Sequence, residues 1–361
     1  MRSLKSLLLA LAAAVFVSQS AGAQEKKADV DVMVAKGLEW FKRTQKADGS
    51  WSTNGTYPTT MTALAGMSML MEGSTLREGK YSDNLKNAVD WFLSRSQSNG
   101  LLGNPNNPTE SSRYIYGHGF GMLFLASVYG EEDDAVRRKK LEAVLKKAVE
   151  FSCKAVTTKG GWGYVSGKDG GDFDEGSTTI TQMQGLRAAR NAGIVVPKGT
   201  IDNAVKYLEK CTTPRGGVIY NYHPGAVQAG SECIPITAAA VACSFSAGGY
   251  DNEYAKKWLK FCKDAIYLKG RVNGHDEYQS YYFGQAVYVL GDDRYGKLFP
   301  NEKKESWMTW SEYKKNMFEH YRSTQSSEGS WSGGYAGPEL ATGFALCVLQ
   351  LEKGTLPIYH R

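Results

Sequence analysis

Carboxylates, phenols and imidazoles gather in this chain at six places where a small-residue, apolar segment begins. Thr59, Thr60 and Thr62 open the first, Tyr114, Tyr116 and His118 the second, and Asp174, Glu175 and Thr178 the third. Glu232 and Cys233 open the fourth, His275, Asp276, Glu277, Tyr278, Tyr281 and Tyr282 the fifth, and Tyr335 and Glu339 the sixth. Phenol rings can stack on a ligand, and carboxylates or histidines beside them can move protons. The set therefore suits a pocket that binds a small molecule and carries out acid–base work. Each member also has a purely structural reading. Thr59, Asp174 and Glu232 suit helix N-caps or first turns, and Asp276 and Glu277 suit a helix start, where the dipole favours negative charge. Tyr281 and Tyr282 suit a core, and His118, between Gly117 and Gly119, suits a hydrogen-bonded packing position.

The elements that must position these residues are helices of two alternating kinds. One kind is amphipathic with bulky aromatics on its apolar stripe: Leu38 to Phe41, Val89 to Leu93, Val144 to Phe151, Ile201 to Leu208, Tyr254 to Phe261 and Trp310 to Tyr321. The other is apolar nearly all round and rich in Ala, Gly and Ser: Met61 to Met71, Gly117 to Tyr129, Ile180 to Ala192, Ile236 to Ala247, Tyr281 to Leu290 and Leu340 to Leu351. The first kind should meet solvent and the second should be buried. Between them recurs a turn phrase, Gln45-Lys-Ala-Asp-Gly-Ser-Trp51 and Gln325-Ser-Ser-Glu-Gly-Ser-Trp331, which decays to Gln97-Ser-Asn-Gly100, Gly160-Gly-Trp-Gly-Tyr164 and Gly216-Gly-Val-Ile-Tyr220. Its glycine can take the positive φ that ends a helix, and the aromatic that follows can fold back onto the helix just completed. A unit of helix, Gly-aromatic turn and helix, repeated, predicts an all-α (α/α)6 toroid, six small-residue inner helices ringed by six outer ones. The inner-helix N-termini then share one mouth, where their unpaired N–H groups and positive dipole ends converge. Strand signal is nearly absent, with Gly216 to Tyr222 the best short hairpin or extended loop.

Residues 1–23 carry Arg2 and Lys5, an apolar run and Ala21-Gly22-Ala23, the pattern of a secretory signal peptide cleaved before Gln24. Residues 24–361 are expected to form a single toroid domain, exported to the periplasm or outside the cell. Removal of the signal lowers the formal charge from +6 to +4, with the remaining charges interleaved along helix faces, which gives no groove for nucleic acid. Cys153, Cys211, Cys233, Cys243, Cys262 and Cys347 show no CxxC spacing, and buried free thiols are expected; Cys211 with Cys262 is the pair to test for a bridge.

The turn phrases, with Tyr116-Gly-His-Gly-Phe-Gly-Met-Leu-Phe-Leu-Ala-Ser-Val-Tyr-Gly130 and Gly160 to Tyr164, resemble the squalene-cyclase and prenyltransferase repeat family, whose QW motif stacks a Gln on the Trp of the turn. The resemblance covers the whole mature chain and looks like the small single-barrel bacterial type. It implies an isoprenoid ligand and a terpenoid-cyclase-like activity in which Asp174 of Asp172-Phe173-Asp174-Glu175 would protonate an alkene. Asp172 and Glu175 would tune it, since like charges held close raise one member's pKa. The family's motif ends in Asp where this chain has Glu175. Full cyclases use two helical barrels, so the resemblance also implies a second barrel from a partner, or a homo-oligomer. Zinc-dependent relatives hold their metal with an Asp, a Cys and a distant His; here Ser231 precedes Cys233, and Gln279 ends the later segment with His275 displaced, so no metal and no cofactor are expected. The CGEQ of thioester domains is absent. Two further readings remain: a non-catalytic binding toroid, and a secreted glycan-active hydrolase or lyase pairing Asp174 with Glu232 or Asp276 as acid and base.

Overall fold

The computed structural model describes residues 29–246, 248–267, 276–333 and 336–360. Thirteen α-helices are found among them. Six are outer: α1 (29–44), α3 (Ser82–Arg95), α5 (Ala135–Ala155), α7 (Lys198–Lys210), α9 (Glu253–Cys262) and α12 (Trp310–Thr324). Six are inner: α2 (Pro58–Glu72), α4 (Tyr114–Glu131), α6 (Gly176–Asn191), α8 (Ile234–Ser246), α10 (Asp276–Leu290) and α13 (Pro338–Leu349); the short α11 (Arg294–Leu298) lies between α10 and α12. Inner helices pack in the order α2, α4, α6, α8, α10, α13, and α13 returns to α2, closing the ring. The (α/α)6 toroid expected from the alternation is the fold observed.

Residue types explain the two rings. On α2 every residue from Pro58 to Met71 is buried, and Gly66 lets Phe124 of α4 come so close that a Cβ would lie 2.3 Å from its ring. Outer α7 buries only Ile201, Ala204, Tyr207 and Leu208 and gives its other faces to water. Gly216 to Tyr222 forms no strand; Thr212 bridges Val218 and Ile219 bridges Glu232, which makes an extended loop. All six cysteines are free thiols, so Cys211 and Cys262 are not bridged. No helix among the described residues is long and apolar enough to cross a membrane.

The turn phrase is a clamp between neighbouring repeats. Gly49, Gly100, Gly160, Gly216 and Gly329 all have φ between 89° and 99°. A Cβ on Gly49 would meet the carbonyl oxygen of Asn87 at 2.4 Å, on Gly100 that of Lys147 at 2.1 Å, and on Gly329 that of Lys36 at 2.4 Å. Each turn therefore lies against the next outer helix, and the last lies against the first. Both the positive φ and the contact require glycine. The glutamines span the same seam: Gln45 Nε2 donates to the carbonyls of Gly49 and Asn84, and Gln325 Nε2 to those of Gly329 and Met33, all at 2.9 Å. Trp51, Trp162 and Trp331 do fold back, donating Nε1–H to carbonyls of Phe41, Ser152 and Tyr321 on the helices just ended. Each is buried, and truncating such a residue to alanine typically costs about 3–5 kcal/mol.

Candidate functional site

A second device fastens five of the turns, those among the described residues, to their inner helices and decides the role of His118. The backbone N–H of Trp51 donates to Thr62 Oγ1, that of Trp162 to Thr179, that of Val218 to Thr237 and that of Trp331 to Thr342, at 2.8–3.0 Å. In the second repeat the Leu102 N–H donates to His118 Nδ1 at 3.2 Å, and the opposite ring nitrogen, Nε2, lies 3.1 Å from the Ala148 carbonyl. His118 thus does the work that a threonine does in these four repeats. It is fully buried, burial lowers its pKa to about 4, and it lies off the cavity wall.

The acidic run also divides. Asp172, at φ 61°, turns outward and accepts from the Thr158 N–H at 2.7 Å and its hydroxyl at 2.5 Å. Asp174 turns inward, where Tyr207 Oη donates to it at 2.5 Å, the Tyr222 N–H at 2.9 Å, and Lys159 Nζ pairs with it at 2.7 Å. Glu175 caps α6, accepting from the Ser177 N–H at 2.8 Å and from the Thr178 N–H. Its pKa is raised by burial, with the capping bonds opposing; a neighbouring carboxylate is not the cause. The coupled acidic cluster inferred from sequence is three separate carboxylates, none on the cavity wall.

The cavity itself opens at the expected mouth, has a volume of about 310 Å³ and is lined from the start of every inner helix. Tyr57 and Met61 come from the start of α2, Tyr116 from α4, Ser177 from α6, Cys233 and Ile236 from α8. Glu277 and Tyr278 come from α10 and Leu340 from α13. Tyr164 and Tyr220 complete the wall from the loops, their hydroxyls hydrogen-bonded to each other, and the Arg113 guanidinium stacks 4.6 Å from the Tyr164 ring. Outside this rim Phe173 is 38% exposed, an apolar approach to the opening. Burial pushes the phenols of Tyr116, Tyr164 and Tyr278 above their ordinary range, so these hydroxyls keep their protons.

Of the residues singled out by sequence, Tyr116, Tyr278, Glu277, Cys233 and Thr60 reach the wall. Tyr281 and Tyr282 are buried beside Tyr278, with Tyr281 stacked on Phe344 at 4.4 Å. Tyr114 instead braces a loop, donating to Asp169 at 2.8 Å and accepting from the Ser166 N–H at 2.9 Å. Thr59 donates to the buried Glu110, while Tyr57 takes the N-cap place ahead of Pro58. Burial raises the Glu232 carboxyl, but bonds from Thr213 and the Gly230 N–H, with Arg215 at 3.5 Å, leave it below its ordinary value and off the wall. His275, Tyr335 and the side chain of Asp276 lie outside the described residues. No three His, Cys, Asp or Glu side chains converge among the described residues. Sequence reasoning missed Tyr57, Arg113, Tyr164 and Tyr220 as wall residues. Tyr57 was signalled by Pro58 at a helix start, and Tyr164 and Tyr220 by the turn phrases that end on them.

The chain shares its fold with α/α toroid enzymes. An α-1,6-mannanase of family GH76 from Salegentibacter, solved with α-1,6-mannotriose as an inactive variant at two consecutive aspartates, aligns with a TM-score of 0.61 and 10% identity over 90% of this chain and 99% of that one. A type II terpene cyclase from Scytonema, bound to geranylgeranyl dihydroxybenzoate, aligns with a TM-score of 0.57 and 12% identity over 92% and 99%. A D-mannose isomerase aligns with a TM-score of 0.57 and 12% identity over 90% and 98%. No family model matches the sequence, and no curated protein does. At these identities the likeness is one of architecture, and function must be argued from the mouth.

Proposed function

We propose that this chain is an exported, terpenoid-cyclase-like toroid that binds an isoprenoid-type ligand in its mouth cavity without acid-initiated cyclisation. The observation that carries this reading is the composition of the wall: five tyrosines and apolar side chains, with Glu277 the one carboxylate among the described residues. Tyrosine faces and apolar walls favour a branched, unsaturated hydrocarbon, and a volume of about 310 Å³ suits a short isoprenoid. Protonating an alkene requires a strong acid facing the ligand, whereas Asp174 is committed to Lys159, Tyr207 and the Tyr222 N–H. Glycoside hydrolysis requires two carboxyl groups flanking the scissile bond, and the wall offers one. The consecutive aspartates of this chain, Asp133–Asp134 and Asp292–Asp293, follow inner helices and lie at the opposite end of the toroid. The wall also draws on all six inner helices of one barrel, so the reading requires no second barrel.

The test is thermal unfolding of the mature protein with farnesol, with squalene, and with α-1,6-linked manno-oligosaccharides. A ligand that binds only the native state raises the unfolding temperature by mass action. A rise with the short isoprenoid farnesol, and none with the oligosaccharides, is expected. A rise with the oligosaccharides alone would replace this reading by the glycan one.

A further inference from the structure

Two buried hydroxyls on α10 have no partner, and one of them belongs to the cavity wall. Tyr278 is on the cavity wall and 7% exposed, and its Oη makes no hydrogen bond. Tyr282, one turn later on α10 and fully buried, holds its ring 4.7 Å from that of Tyr278, and its Oη is likewise unpartnered. Thr178 Oγ1, buried at the start of α6 next to the wall residue Ser177, is a third. Buried polar groups are ordinarily satisfied, because leaving one unpaired carries its full desolvation cost. Tyr281, between the two tyrosines in sequence, obeys that rule: its hydroxyl meets that of Tyr359 at 2.7 Å. An unpaired hydroxyl on the cavity wall, with a second on the ring packed directly behind it, points to a ligand atom as the missing partner.

We propose that Tyr278, with Tyr282 beside it, hydrogen-bonds a carbonyl oxygen at the buried end of the ligand, which makes the ligand an isoprenoid ketone or quinone. This rests on the isoprenoid reading above and sharpens it. Both phenols keep their protons, since burial pushes them well above their ordinary value, so both are donors. A carboxylate or phosphate at this depth would need a counter-charge beside Tyr278. The cation on the wall, Arg113, is at the Tyr164 rim instead. A carbonyl oxygen has two lone pairs and no proton. It accepts two phenol bonds and brings no donor that would itself need a partner.

Three ligands of one shape decide the matter by calorimetry: geranylacetone, its methylidene analogue with C=CH2 in place of C=O, and its secondary alcohol. The wild type should bind the ketone about tenfold more tightly than the hydrocarbon, the size of one or two net hydrogen bonds. Tyr278→Phe and Tyr282→Phe should each reduce that preference, leave hydrocarbon affinity unchanged and unfold no earlier than wild type, since neither hydroxyl has a partner to lose. Equal affinity for ketone and hydrocarbon, or for ketone and alcohol, would overturn the carbonyl inference and leave isoprenoid binding standing. A Tyr278→Phe variant that loses ketone and hydrocarbon equally would also overturn it, because the ring alone would then matter. Binding of none of the three would remove both this inference and the reading beneath it.

Discussion

On α10 Tyr278, at the wall of the mouth cavity of about 310 Å³, and Tyr282 beside it hold unpartnered hydroxyls, whereas Tyr281, between them in sequence, meets Tyr359 of the C-terminal segment at 2.7 Å. The far end is stoppered by the C-terminal segment, in which Leu356, Ile358 and Tyr359 are buried and a short 3-10 turn, Pro357–Tyr359, packs on α6. An amide chain supports it, Gln184 Nε2 donating to Gln285 Oε1 at 2.8 Å and Gln285 Nε2 to the Tyr281 carbonyl at 3.1 Å. One helix therefore carries phenols of two kinds. Where the chain supplies a partner, the group serves the fold; where it supplies none next to a cavity, the group is available to a ligand.

The largest way to break this contrast is to remove the stopper. Truncation after Gly354 exposes the barrel axis, strips three buried apolar side chains worth roughly 1.5–3 kcal/mol each, and leaves Tyr281 unpaired. A loss of about 5 kcal/mol in urea unfolding is expected. A truncated protein as stable as the full chain would mean that the tail is an accessory and the two ends are alike.

Next in size is Asp174→Asn. Removing the charge of buried Asp174 weakens its pairing with the one-third-exposed Lys159 and its bonds from Tyr207 and the Tyr222 N–H, at about 3 kcal/mol for two charge-assisted hydrogen bonds. Stability should fall while ligand affinity, read by calorimetry on the folded variant, stays within twofold. The reverse pattern, unchanged stability with lost turnover of an isoprenoid, would return Asp174 to the role of proton donor.

Why Asp174 stands apart from its acidic neighbours is a matter of backbone geometry. Asp172, Asp174 and Glu175 lie within four consecutive residues, but Asp172 takes a left-handed φ of 61° and Glu175 is extended at φ −155°, ψ 154°. In an extended segment successive side chains point to opposite sides, so Asp174 and its neighbour cannot share a cluster. The toroid was legible because its signals are local and repeated: aromatic-striped helices, small-residue helices, and a turn glycine. The turn-to-helix latch was not legible, because the separation between its partners runs from 11 residues in Trp51–Thr62 to 19 in Val218–Thr237. Without that register, His118 could not be matched with Thr62, Thr179, Thr237 and Thr342. Tyr164 and Tyr220 entered the wall from loops whose course no helical period encodes.

His118 also gives the fold end of the contrast a pH signature. Its pKa is about 4 in the fold against an ordinary 6.5, so between those values the unfolded chain binds a proton that the native state refuses. Stability from this group is complete above pH 6.5 and declines as the pH falls toward 4, by up to about 3 kcal/mol. His118→Gln, whose amide can accept from Leu102 and donate to Ala148, should lose that part of the acid sensitivity. Denaturation midpoints that fall equally steeply in both proteins would assign the acid sensitivity to other groups.

The smallest effect tests the contrast most directly, because it makes the same change one turn apart on one helix. Tyr281→Phe removes a bonded hydroxyl and strands that of Tyr359, which should cost about 1 kcal/mol. Tyr278→Phe removes an unbonded one, and the ring keeps its packing 4.7 Å from Tyr282 and 6.4 Å from Phe344, so its stability should equal or slightly exceed that of the wild type. The difference between the two variants, rather than either alone, is the measurement, since the loss of one oxygen is common to both and cancels. Thermal unfolding without ligand resolves it. If Tyr278→Phe costs as much as Tyr281→Phe, the Tyr278 hydroxyl is already satisfied in solution, by water held at the deep end. The mouth would then be a second packed end of the barrel.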